Sequence, residues 1–325
     1  MELLLLRGAL KRGVLMVSAN WPIVLIDFAV ESFCRAAMAL PVLGGALMVT
    51  SVVGLDVGRV VSGGIAGTAD VVVGSLASAP AALGAFFGAL ALVAVGGEAV
   101  LFIVKAGTLS VIVRADRTAG EPQRLPLGID ALRLCRAFEL RTLIDAGQRF
   151  ARRGLIVALW LGAVYAAIGG VYLAVVAGGL FSLGSRWVPA WSALVLLATS
   201  GAVMVAVLAN LAYTLLRVVI VTDDCDVGTA VGRLVRFVVE DARQVIGIFA
   251  AIGGIQVVAG ALTLMTAAGL APMAYLPLAS LVVIPLQIAI WIVRGLLLES
   301  LSLCAVAAYQ TQYRRFSDAR HPAPG

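Results

Sequence analysis

Seven ionisable side chains interrupt otherwise apolar sequence: Asp27, Glu31 and Arg35 in one stretch, Glu98 and Lys105 in a second, Arg294 and Glu299 in a third. A charge placed in hydrocarbon costs about 3 kcal/mol or more, so each such group needs a partner or a task. Arg35, Lys105 and Arg294 have the chemistry to hold a phosphate, arginine through paired donors and lysine as a point charge. With Glu31 and Glu98 they form a candidate ligand-binding set, a polar vestibule for a lipid headgroup or small solute. Four acids against three bases also nearly balance, so mutual pairing that locks helices together is the competing expectation. Asp27, Glu31 and Arg35 are spaced four apart and share one helix face.

Other chemistry is poorly supplied. The single histidine, His321, lies in a Pro-rich tail, which leaves no imidazole set for zinc or haem. No Walker loop, dinucleotide fingerprint or nucleophile elbow occurs. Acids without histidine, metal ligands or an activated nucleophile make a poor catalytic set, so the chain reads as non-enzymatic and no cofactor or metal is expected. Cys135 and Cys225 fall in basic segments, and Cys34 and Cys304 fall in the neighbouring halves of apolar ones. They read as small buried side chains rather than disulfides. The cluster Asp223, Asp224 and Asp226 lacks the glycine and closing glutamate of a calcium loop. Its expected role is to cap the helix that follows.

The elements that must position these groups are membrane spans. Apolar stretches run over about 21–54, 80–113, 154–183, 190–221, 244–270 and 275–309, each longer than the ~20 residues that cross hydrocarbon. A chain with 62% hydrophobic and 13% charged residues cannot solvate that surface in water. The expected fold class is all-α: a polytopic bundle of six transmembrane helices, with residues 1–325 as one integral membrane domain. Of the 24 basic residues, 18 fall in the N-terminal segment, 114–153, 222–243 and the tail, against Arg59 and Arg186 in the opposite loops. That asymmetry places both termini in the cytoplasm. It also turns the net charge of +6 toward anionic lipid headgroups and away from a nucleic-acid role. Arginine outnumbers lysine 22 to 2, the usage of a GC-rich genome, and a bacterial cytoplasmic (inner) membrane is the expected home. No cleaved leader is expected, because Leu3 to Leu6 is too short for a signal core and Glu2 precedes it. Measured from the outer span ends, the seven charges lie roughly 26–41 Å inward, a layer at the cytoplasmic mouth.

Three basic segments, 3–20, 127–153 and 227–242, read as amphipathic helices in the headgroup layer, each introducing a hairpin of two spans. In the middle one, Arg133, Arg136, Arg141 and Arg149 stand beside Ile129, Leu132, Leu140, Leu143 and Phe150, a composition for binding anionic lipid. The segments also repeat. Ala9, Arg12, Val14, Val17, Asn20, Val24, Leu25 and Phe28 match Ala230, Arg233, Val235, Val238, Asp241, Val245, Ile246 and Phe249 at constant offset, and Ala146 and Arg149 fall in register as a third copy. Pro41 and Pro285, near the midplane, each remove an amide donor. An ordinary proline kink is the favoured expectation, and an interrupted helix of the transporter kind is the sharper alternative. Gly84 and Gly88, four apart, permit close span contacts. Trp187, Trp191 and Tyr275 mark one interface, and Trp21, Tyr309 and Tyr313 the other. Residues 55–79 read as a loop, a surface helix or a shallow re-entrant piece.

The run Val219-Ile220-Val221-Thr222-Asp223-Asp224, then Gly228-Thr229-Ala230-Val231-Gly232-Arg233, then apolar sequence from Val245, resembles six-span bacterial inner-membrane proteins related to the membrane domain of some glycerophosphodiester phosphodiesterases. The resemblance implies the six-span architecture. With no phosphodiesterase domain in the sequence, it implies no enzymatic activity. The expected function is a non-enzymatic protein organising lipid or a membrane protein assembly, with anionic membrane lipids and a membrane protein as partners. A small-solute or lipid transporter working through spans one, two and six is the alternative.

Overall fold

The computed structural model describes residues 2–53, 80–120, 133–183, 188–270 and 277–320. The segment 55–79, with Arg59, lies outside the described residues, as do Ile129, Leu132, Arg186, Trp187, Tyr275 and His321. The described residues hold eight helices and no strand: α1 (Glu2–Ala19), α2 (Pro22–Val53), α3 (Pro80–Thr118), α4 (Leu140–Leu183), α5 (Val188–Asp223), α6 (Val227–Glu240), α7 (Ala242–Leu270) and α8 (Pro277–Arg320). The five helices α3, α4, α5, α7 and α8 contain stretches long and apolar enough to cross a membrane, and the bent pair α1–α2 makes six if it is counted as one span. The all-α polytopic class expected from the sequence is the class observed.

Residues 1–28 and 102–325 form one compact unit and residues 29–101 a second. In the smaller unit, the Cys34 Sγ lies 3.8 Å from the Gly97 carbonyl, which brings α2 close to α3. A Cβ on Gly88 would meet nothing within 4 Å among the described residues.

The larger unit is organised around the C-terminal part of α8. Residues 306–313 are buried without a break, and a helix enclosed on every face sits at the centre of its neighbours. It packs on α1, α5 and α7. Gly13 of α1 makes one of these approaches possible, because a Cβ there would stand 2.8 Å from the Cys304 carbonyl oxygen. A second close crossing joins α3 to α4: a Cβ on Gly107 would meet the Leu143 carbonyl at 2.5 Å, and one on Gly147 the Ile103 carbonyl at 2.8 Å. Bare backbone on backbone is how membrane helices maximise dispersion contact.

The repeated segments share a break. Between α1 and α2 the chain turns by 82° at Asn20 and Trp21, where Pro22 has no amide to continue the ladder and is pre-set for a first helical position. At the matched place, Asp241 separates α6 from α7. The third copy differs. α4 runs unbroken from Leu140 through its span, and ahead of it Arg133 and Leu134 are helical, separated from α4 by irregular chain at 136–139. α2 and α8 continue past Pro41 and Pro285, in line with a proline inside a continuous helix rather than an interrupted one.

Candidate functional site

Each of the three sequence-matched arginines pairs with an aspartate. Arg12 pairs with Asp116, Arg149 with Asp224 and Arg233 with Asp223, each aspartate lying where a returning span ends. Arg12 and Asp116 are both sealed from solvent, at 1% and 0% side-chain exposure. Arg12 also donates to the carbonyls of Asp116 at 2.9 Å and Gly120 at 2.8 Å, groups at the end of α3 that lack an intrahelical partner. Arg314 of α8 completes the site from the other side, 3.1 Å from Asp116 Oδ2.

The acidic cluster after α5 is a tether. Asp223 accepts from Arg233 and from the Tyr313 hydroxyl, and Asp224 accepts from Arg149 and Arg153. Asp226 stands at the N-cap of α6 with extended backbone, but the bond it takes is the Thr229 hydroxyl at 2.8 Å rather than a free helix amide. Hydrogen bonding from Arg153 and attraction from Arg149 hold the Asp224 carboxyl below the usual carboxylate range, and the Thr229 hydroxyl lowers Asp226 in the same direction. Asn20 clamps the remaining corner: its amide donates to the Met16 and Cys135 carbonyls and accepts from the Ala137 N–H, each at 2.8 Å.

The charges inside the spans divide. In the smaller unit, Arg35 is 72% exposed and pairs with Glu31 one turn away, while Glu98 is exposed. In the larger unit, Lys105 lines a cavity of about 10 Å³ with Asp27, Thr108, Arg217, Glu299 and Ser302. Arg294 is half-buried, and its Nε has no hydrogen-bond partner among the described residues. Arg217 is the residue that sequence reasoning passed over, since it stands near the end of its span. The signal was there, because it is the one charged group in 190–221. Its guanidinium lies 4.9 Å from the Tyr213 ring centroid, a cation–π contact, and it is 94% shielded from solvent. Two carboxylates and two cations thus balance around a space near the ~10–15 Å³ lower limit for one water. The charges balance in number, while Arg217 Nε and Nη1 are buried with no hydrogen-bond partner among the described residues.

A different surface carries free cations. Arg133, Arg136 and Arg141 are exposed, and none forms an ion pair with a described carboxylate. Arg149, expected among them, is held by Asp224. Leu134, Leu140 and Ile144 are exposed beside them. On α6, Ala230, Leu234 and Phe237 face inward, while Val231, Val235 and Val239 are exposed at four-residue spacing, an apolar stripe on the outer face. Phe237 anchors the helix by packing edge-on against Tyr313, ring centroids 5.4 Å apart.

No family model, curated protein or solved structure matches this chain.

Proposed function

We propose that this is a non-enzymatic multi-pass protein of a bacterial inner membrane, with both termini cytoplasmic, that gathers anionic lipid at the cytoplasmic surface and supports a membrane assembly there. The observation that carries the reading is the exposed set Arg133, Arg136 and Arg141, unpaired among the described residues and interleaved with exposed Leu134, Leu140 and Ile144. Basic heads in the headgroup layer over apolar groups in the acyl boundary are the composition of a lipid-binding surface. The valine stripe of α6 extends that chemistry. Orientation rests on the 18-to-2 distribution of basic residues, and the resemblance to six-span inner-membrane proteins agrees with it. For a transporter through spans one, two and six, the charged cavity of about 10 Å³ offers no solute-sized chamber.

Thermal unfolding of the full chain in detergent, with added phosphatidylglycerol or phosphatidylcholine, tests the reading. A ligand that binds only the folded state raises the melting temperature by mass action. Phosphatidylglycerol is expected to raise it, phosphatidylcholine to leave it unchanged, and salt to shrink the difference. Equal effects of the two lipids would contradict an anionic-lipid role.

A further inference from the structure

A second cavity, of about 200 Å³, lies between α5, α7 and α8, and no charged residue lines it. Five of its lining side chains can hydrogen-bond: Asn210, Thr214, Gln256, Ser302 and Tyr309, of which Tyr309 already donates to the Val245 carbonyl. Among the described residues none of the other four has a side-chain partner, and Asn210 is exposed. Asn210 and Gln256 stand well inside their spans, about 20 Å from the helix ends at Asp223 and Ala242, by a rise of ~1.5 Å per residue. At that depth an amide without a partner is costly, since hydrocarbon supplies none. Val207 and Phe249 on the rim are each 38% exposed on helices long enough to cross the membrane, so the groove opens sideways to acyl chains.

We propose that this groove binds the uncharged polar backbone of a glycerolipid, with diacylglycerol as the class it fits. The two amides and two hydroxyls match the hydroxyl and ester groups of such a molecule, and the apolar walls lead its chains into the bilayer. A phosphate asks for charged donors, and the lining supplies only neutral ones. The groove is smaller than the ~300–1,000 Å³ of pockets that enclose a whole ligand, which suits a site holding the backbone while the chains stay outside. The site is independent of the arginine surface and does not rest on it.

The full chain, reconstituted in vesicles of phosphatidylethanolamine and phosphatidylglycerol, is irradiated with a trace of diacylglycerol carrying a diazirine in one chain. A parallel sample uses phosphatidylglycerol with the same label. The diacylglycerol probe is expected to label peptides containing 207–214 and 248–256 at least fivefold above the phosphatidylglycerol probe. Unlabelled diacylglycerol should compete it away, and the pair Asn210→Leu and Gln256→Leu should lower it to the phosphatidylglycerol level. Asn210→Gln and Thr214→Ser, which keep the hydrogen-bonding groups, should retain labelling and report that the fold tolerates change here. Equal labelling by the two probes, or labelling unchanged in the leucine variants, would overturn the proposal. So would a crosslink between two copies through Asn210→Cys, because the groove would then be covered by a second chain.

Discussion

The Arg12 Nε donates to Asp116 Oδ1 at 2.7 Å across 104 residues of sequence, with neither side chain open to solvent. This ion pair fixes the end of α3 to α1 at the level where α8 is enclosed on all sides. Taking two charges out of water is costly, and only the additional hydrogen bonds from Arg12 to backbone and from Arg314 to the carboxylate make the arrangement favourable.

Breaking that pair from one side removes the main counter-charge of a buried group, at a cost of up to about 3–5 kcal/mol. The cost is greater for Asp116→Asn, which strips a carboxylate from both Arg12 and Arg314, than for Arg12→Gln, which leaves Asp116 its Arg314 contact. Asp116→Asn or Arg12→Gln should therefore lower the unfolding midpoint of the purified protein strongly. Arg35→Gln removes an exposed pair worth about 0–1 kcal/mol and should leave the midpoint nearly unchanged. Similar losses in the two experiments would show that burial does not set the difference.

The α3–α4 crossing predicts a second contrast. Gly107→Ala places a methyl 2.5 Å from the Leu143 carbonyl, an overpacking that costs about 1–3 kcal/mol. Gly162→Ala meets nothing within 4 Å and should be neutral or stabilising by up to about 1 kcal/mol, because alanine is the better helix former. Melting curves of the two variants in the same detergent give the comparison directly.

Acid should loosen the tether at Asp224. Its carboxyl is lowered by the Arg153 hydrogen bond first, with attraction from Arg149 and Arg153 beside it. A folded value below the unfolded one, about 3.9, contributes stability that is complete above that pH and lost as pH falls through the folded value. Wild type and Asp224→Asn should then differ most near neutrality and converge below about pH 4. Curves that stay parallel through the acid limb would remove Asp224 as the cause.

Thiol labelling reads topology and burial together. Cys225 is partly exposed and Cys135 fully buried. An impermeant maleimide should miss both in intact cells, reach Cys225 in inverted vesicles, and reach Cys135 only after denaturation. Modification of Cys225 from outside would reverse the assigned orientation.

The sequence made the spans legible because apolar length is a local property, and the break at Asn20 and Asp241 was legible because the same polar residue class recurs at the same offset. The tail beyond Tyr309 was read as a basic end, yet Gln310, Thr311, Gln312 and Tyr313 are buried at the centre of the larger unit. Polarity there signals not solvent but partners: Thr222 bonds Gln310 at 2.6 Å and Asp241 bonds Gln312 at 3.1 Å. Those partners come from other helices, so no local pattern announces them. Arg217 escaped for a related reason, since distance from a span end does not reveal which carboxylates share its cavity. Arg149 was assigned to lipid because its partner Asp224 lies 75 residues away.

The most direct measurement is the anionic lipid retained by the purified chain when Arg133, Arg136 and Arg141 are all replaced by glutamine. Each basic group near such a surface contributes about 1 kcal/mol, so the triple variant should lose most of the phosphatidylglycerol and cardiolipin that co-purifies with the wild type, at an unchanged melting temperature in lipid-free detergent. Lipid content equal to the wild type in a folded variant would contradict the lipid-gathering account.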